Sequence, residues 1–217
     1  MTHSEENYLK VIYHLSATAT NGISTNAIAK VVESKPSSVT DMVQKLADKG
    51  LVSYIKYQGV SLTEDGMYAA LMIVRKHRLW EVFLLEKLDF SWDEVHDVAE
   101  QLEHIVSDKL IDKLDAFLGF PTEDPHGDPI PDKQGKVAEI DKKLLSEISA
   151  GKRVICVGVK DSSPPFLQYL DKQHIALGST FEVLAREDFD HSLSIKVDSK
   201  EVTVSNKIAS NLFVKHI

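Results

Sequence analysis

The sequence predicts a mainly helical chain with α+β parts, and three observations carry that reading. Two short helical stretches and a hairpin occupy residues 1–64, longer helical stretches follow, and short alternating segments fill the last third. The expected architecture is an N-terminal winged helix-turn-helix (1–64), a central all-α domain (65–140), a linker (141–151) and a small β-barrel (152–217). With 217 residues, 43% hydrophobic and 27% charged, the chain suits a soluble protein with one sizeable core or two small ones.

From Ser4 to Leu15 the apolar residues Tyr8, Leu9, Val11, Ile12 and Leu15 recur at helical spacing. A turn at 20–22 precedes Ser24-Thr25-Asn26, which caps a short helix carrying Ile28, Ala29, Val31 and Val32. After a break at 34–38, Val39, Met42, Val43 and Leu46 mark the next helix, closed by Gly50. LVSYIKYQGVSLT then alternates around Gln58-Gly59, as a two-stranded hairpin does. A small helical domain of other purpose would also show this order. The opening of the last helix, PSSVTDMVQK, argues for duplex DNA instead: Pro36, Ser37, Ser38, Thr40 and Gln44 stand where this motif faces base edges and phosphates. A helix serving only as packing would more usually show Glu or Lys there. Lys56, Tyr57 and Gln58 on the wing suit phosphate or minor-groove contact.

Residues 65–88 read as one long helix, apolar over most of its circumference and hence buried or interfacial. A second helix is expected over 91–118, with Ser91 as N-cap and Glu94 three residues on. The Pro-, Gly- and Asp-rich segment 119–135 is a loop, and 138–150 can make a short helix. The barrel strands are RVICVGV, STFEVLA, SLSIKV, EVTVS and LFVKHI, interrupted by a helical insert, PPFLQYLDKQHI. At about 65 residues such a domain is near the lower limit for a self-sufficient core.

Charge narrows the function. The net charge of -8 argues against nonspecific polyanion binding, yet residues 1–64 hold six lysines against six acidic residues, so the whole excess lies downstream. One cysteine, Cys156, allows no intrachain disulfide and fits a reducing compartment. MTHSEENYLK has acid where a signal peptide needs a basic region, and no apolar run approaches the ~20 residues of a membrane span. A cytoplasmic protein with no membrane partner is expected.

The stretch SWDEVHDVAEQLEHIVSD concentrates groups that bind divalent metals. At about 100° per residue, His96, Glu100, Glu103 and His104 share an arc of about 100° on one helix, with no lysine or arginine beside them. The preceding helix adds His77 and Glu81 at i, i+4 spacing. Single histidines and acid pairs are ordinary; six such groups on adjacent helices are not, and a cation is the natural neutraliser of buried carboxylates. A ferritin-like di-metal oxidase wants Glu-x-x-His from each of two helices, and Gln101 breaks that pattern. Asp124 and His126 in the loop form a second, weaker group, and Asp161 after the first barrel strand could reach it.

KPSSVTDMVQKLADKGLV (35–52), HRLWE (77–81), EVHDVAEQLEH (94–104) and PHGDPIP (125–131) together resemble the diphtheria toxin repressor family of iron- or manganese-dependent transcriptional repressors, along the whole chain and most like its manganese transport regulators. The resemblance implies an SH3-like C-terminal domain, a homodimer held by the long central helices, and metal-driven binding of double-stranded operator DNA, palindromic and upstream of metal-uptake genes. Carried over by position, Glu100, Glu103 and His104 match primary-site ligands, with Asn7 where relatives place Met or Asp. His77, Glu81 and His96 match the ancillary site, and Asp124, His126 and Asp161 the version of that site found in longer manganese regulators. Asn7 departs as a neutral donor, for which Glu6 could substitute, and Asp124 stands where a Cys is frequent. The resemblance implies two ions per subunit; with oxygen and imidazole donors and no sulfur, Mn2+ is favoured and Fe2+ competes. The rival readings are a helical di-metal hydrolase, which lacks a spare nucleophile or phosphate loop here, and a metal-buffering protein, which leaves PSSVT unexplained.

Overall fold

The computed structural model describes all residues except Thr18, Thr20, Asn21, Tyr57, Asp198 and Ser199. The expected turn at 20–22 and the Tyr57 contact therefore lie largely outside the described residues. In chain order the elements are α1 His3–Ser16, α2 Thr25–Val31, α3 Pro36–Asp48, β1 Val52–Ile55, β2 Gly59–Leu62, α4 Glu64–Leu88, α5 Val95–Leu102 and α6 Asp108–Phe117. They continue with β3 Lys143–Leu144, β4 Arg153–Val159, α7 Pro164–Lys172, β5 Thr180–Arg186, β6 Leu193–Val197, β7 Lys200–Val204, α8 Asn206–Ala209 and β8 Leu212–His216.

The winged helix-turn-helix forms as the sequence predicts. Thr2 and Glu5 close a reciprocal cap on α1, and Ser24 accepts from Ala27 N at α2. Antiparallel β1 and β2 make the wing, and Ile23 bridges to Val60 through two 2.8 Å backbone hydrogen bonds. Leu9, Ile12, Ile28, Val39, Val43, Leu46 and Val60 are fully buried and close this core. Gly66, in the first turn of α4, lies so close to the wing that a Cβ there would sit 1.7 Å from the Leu51 carbonyl oxygen. That contact sets α4 directly beneath the DNA-binding unit.

α4 runs unbroken for 25 residues, capped by Thr63 and ended by Asp89 in the left-handed region (φ 58°). The single helix expected over 91–118 is instead two. Residues 92–94 form a turn, α5 spans Val95–Leu102, and the chain leaves helical geometry at 103–107 before α6 begins. Ser91 does bind Glu94, through both its amide and its hydroxyl, but the helix proper starts after Glu94. Ser107 causes the restart: its extended backbone (φ -158°) and hydroxyl accept the Leu110 amide as an N-cap. The apolar stripe stays in phase across the gap, so periodicity alone cannot reveal it.

The helix expected over 138–150 does not form. Lys143 and Leu144 pair with Val214 and Phe213 of β8, and Leu145–Glu147 make one 3-10 turn. Leu145 and Ile148 are buried in the C-terminal core, so strand addition and burial override a helix-compatible spacing. The sheet order is β3-β8-β4-β5-β6-β7, all antiparallel, bent by irregularities at Cys156/Gly158 and Val183/Ala185. Phe181, Leu167, Leu170 and Leu193 fill its core. No helix among the described residues is long and apolar enough to cross a membrane.

Candidate metal centre and nucleic-acid interface

Five segments converge on one place: α1, α4, α5, the residues just after α5, and the loop at 124–128. His77 stands at its middle. Its Nδ1 lies 2.6 Å from Glu103 Oε2, and its Nε2 lies 3.0 Å from Glu81 Oε1 and 3.2 Å from His96 Nδ1. His96 Nε2 is 3.7 Å from Glu100, and His126 Nδ1 is 3.7 Å from Glu81. Among the described residues three groups are compact enough to hold an ion: His77, Glu81 and His96; His77, Glu100 and Glu103; and Glu81, Asp124 and His126. Because His77 and Glu81 each belong to two of them, the two sites expected from sequence are joined into one chain of donors.

Burial makes these groups electrostatically dependent on each other. Glu81 is 2% exposed and Glu103 0%. Burial opposes ionisation of Glu81, but His126, His77 and His96 overcome it and hold the carboxyl far below the usual range. Glu103 is likewise lowered against burial, by His77 and Lys10. Burial disfavours the His77 imidazolium, yet Glu103 and Glu81 raise it to about 9. His126 rises against burial in the same way, through Glu81 and Asp124. Asp124 goes the other way: burial and the charges of Glu81 and Asp128 push it up to about 6 despite Arg78.

Several expected residues stand apart. His104 lies beyond the end of α5 and turns to α1, where its Nδ1 is 2.6 Å from Glu6 and its ring stacks on His3 at 4.4 Å. Its other nitrogen is 3.9 Å from Glu103 Oε1, so it borders the cluster rather than sharing the helical arc expected for it. Asp161 accepts from Ser163 N at the start of α7 and joins none of the groups; Lys160 and Ser162 line the cavity instead. Asn7 Oδ1 is buried with no hydrogen-bond partner, which leaves a donor atom free on α1.

The expected absence of basic partners is overturned. Lys10, on the same helix as Asn7, places its ammonium 2.5 Å from Glu100 Oε1 and 2.7 and 2.8 Å from the two Glu103 oxygens. Arg78 lies 3.3 Å from Asp124 and donates to the Pro129 carbonyl, while Arg75 pairs with Asp115 at 2.6 Å and donates to Pro131. The two arginines, three residues apart on α4, strap the loop to the helix. A signal for Lys10 existed in its position on the inward side of α1, four residues after Glu6, but it came from a distant segment and carried no spacing rule.

In the first turn of α1, next to Glu6, Glu5 is buried and bound by Lys45 (2.9 Å) of α3 and by Lys49 (2.8 Å) at its C-cap. Lys49, the Thr2 amide and Lys45 hold its carboxyl down at about 2. α3 buries Val39, Val43 and Leu46 and presents Pro36, Ser37, Ser38 and Gln44 outward. Its N-cap, Lys35, makes no side-chain capping bond, so the first-turn amides remain available for an anion such as phosphate. Thr40 is half-buried and donates its hydroxyl to the Pro36 carbonyl; Lys56 is exposed on the wing.

The comparisons agree with this geometry. Residues 1–60 match the family described as iron dependent repressor, N-terminal DNA binding domain, and 63–132 match iron dependent repressor, metal binding and dimerisation domain. Residues 143–216 match the FeoA domain. A solved structure of a manganese-dependent transcriptional repressor in complex with manganese superposes with a TM-score of 0.88 at 38% identity, covering 98% of this chain and 99% of that one. The chain belongs to the diphtheria toxin repressor family, on its manganese-regulator side. The diphtheria toxin repressor of Corynebacterium diphtheriae is 25% identical over the whole chain and 99% of its own length. The HTH-type transcriptional regulator MntR of Oceanobacillus iheyensis is 34% identical over 57% of this chain and 82% of its own length. The protein is thus a metal-dependent transcriptional repressor and not an enzyme, and its family binds DNA and dimerises.

Proposed function

We propose that this repressor senses Mn2+, with Fe2+ as competitor, and that the loaded homodimer binds palindromic operators of metal-uptake genes. The single observation that carries the reading is the convergence of His77, Glu81, His96, Glu100, Glu103, Asp124 and His126, from both central helices and the loop, without a sulfur donor. This donor set fits a hard or borderline divalent ion, and the unpartnered Asn7 Oδ1 adds a neutral oxygen from α1. His104 completes the primary set once it gives up Glu6. Two ions per subunit match the two halves of the donor chain. When bound, an ion supplies positive charge that offsets the mutual repulsion of Glu81, Glu100 and Glu103.

The protein's own part is transmission through α1. α1 is tied to α5 and the residues after it by Lys10–Glu100/Glu103 and Glu6–His104, and to the end of α3 by the neighbouring Glu5–Lys45/Lys49. Changed charge around Glu103 therefore alters where α1, and with it the reading helix, can sit. A coupling of about 1–3 kcal/mol shifts DNA affinity ~5–150-fold. Leu88, Leu110 and Phe117 on the central helices, with Val106 between α5 and α6, are exposed apolar residues and form the surface for the second copy. Their pairing sets two α3 helices roughly one DNA turn, or a multiple of it, apart.

The test is selection of DNA from a randomised duplex library by the wild type and Glu103→Ala, with Mn2+ and after chelation. Wild type retains a palindromic site only with Mn2+, and Glu103→Ala loses that dependence along with calorimetric Mn2+ affinity. Equal DNA binding with and without Mn2+ would sink the reading.

A further inference from the structure

Lys10 is out of place by the usual standards of lysine. It is 8% exposed, and its ammonium is spent on Glu100 and on both oxygens of Glu103, a carboxylate with no exposure at all. Lysine is rarely this buried unless paired, because its ammonium is strongly hydrated. The two carboxylates it holds are the ones assigned above to metal.

We infer that Lys10 is a resident counter-ion of the metal centre: its ammonium occupies the Glu100–Glu103 pair in the metal-free protein and must leave for a divalent ion to bind, so this one residue sets the concentration at which the repressor responds. The inference rests on the metal reading above. Three features of the site support exchange rather than a permanent staple. First, the positions of charge coincide, since a cation bound to Glu100, Glu103 and His77 would need the oxygen lone pairs Lys10 now uses. Second, there is room to move: Lys10 and Glu100 line a cavity of about 300 Å³ that also borders His14, Glu81 and His96. A four-carbon stem can swing its head into that space. Third, Arg78 shows what a permanent partner looks like in the same centre. Its guanidinium is fastened to Asp124, Asp128 and the Pro129 carbonyl, a fork held at three points, whereas Lys10 is a point charge held by two carboxylates.

The arrangement also gives the metal-free protein a defined shape. With the ammonium in place the carboxylates do not repel, and α1 remains tied to α5. A single charge is then exchanged for a double one, and the exchange begins only when the ion outcompetes the lysine.

The experiment is calorimetric titration of Mn2+ into the full chain and into Lys10→Met, with thermal melting of both in chelator. Lys10→Met is expected to bind Mn2+ about tenfold tighter or more and to melt at a lower temperature when metal-free. Adding Glu103→Gln to Lys10→Met should restore part of that melting loss. Unchanged or weaker Mn2+ binding by Lys10→Met overturns the inference. Should that variant fail to fold, Lys10→Arg decides: a guanidinium fork holds the carboxylates more firmly, so weaker Mn2+ binding supports the exchange and unaltered binding overturns it. Wild-type protein that binds no Mn2+ would sink the metal reading itself, an outcome distinct from a wild type that binds it and a Lys10→Met variant that binds it equally.

Discussion

The C-terminal domain and the central helices are built on opposite principles. Seventeen side chains, Leu145 to Val214, close the C-terminal core, and among the described residues of 143–217 the buried polar side chain is Ser192. The central unit buries Arg75, His77, Arg78, Glu81, Glu103, Asp115, Asp124 and His126 around a smaller apolar cluster. The first gains stability from removing apolar surface and needs no ion. The second spends stability on desolvated charge, which is retained in proteins chiefly where it is used. Responsiveness and rigidity are thus assigned to different parts of one chain.

The largest expected effect breaks the apolar side. Phe181→Ala leaves a cavity in a fully buried position and should cost about 3–5 kcal/mol in urea unfolding of the C-terminal domain, with the same cost at low and high salt. A salt-dependent cost would mean hidden charge in that core. Next, Asp115→Ala strands the Arg75 guanidinium and should cost about 1.5–3 kcal/mol, and the strapped loop should exchange its amide hydrogens faster. The smallest effect lies between the two regimes. Glu5 is buried but its lysines are half in solvent, so Glu5→Gln should destabilise modestly and less at high salt. Its folded-state carboxyl is lowered from 4.5 to about 2, so its stabilisation is complete above pH 4.5 and disappears as pH falls toward 2. The gap between wild type and Glu5→Gln should close over that window, and a constant gap would discount the ion pairs.

Much of this division was legible in the sequence, where local rules applied. The cap at Ser24, the Gly59 turn and the apolar stripe of α3 each need only neighbours in the chain. His77 with Glu81, and His96 with Glu100, were found because i, i+4 spacing is a local fact. What escaped reading was non-local or cooperative. The strand at Lys143–Leu144 exists because β8 offers an edge. Residues 103–107 leave the helix although the stripe continues, which sends His104 to Glu6 rather than along the arc. Lys10, Arg75 and Arg78 find carboxylates dozens of residues away, and Asp161 serves a turn at α7 instead of the loop.

One backbone junction joins the two regimes. The Val159 amide of β4 donates to the His126 carbonyl at 2.9 Å, and Gly127 sits so near the same strand that a Cβ would come 2.0 Å from Val157 O. The barrel therefore grips the ligand loop by its main chain. It is a handle as much as a domain: whatever tugs or steadies that sheet is felt at His126, and by thermodynamic reciprocity the grip tightens when the loop is held from the other side.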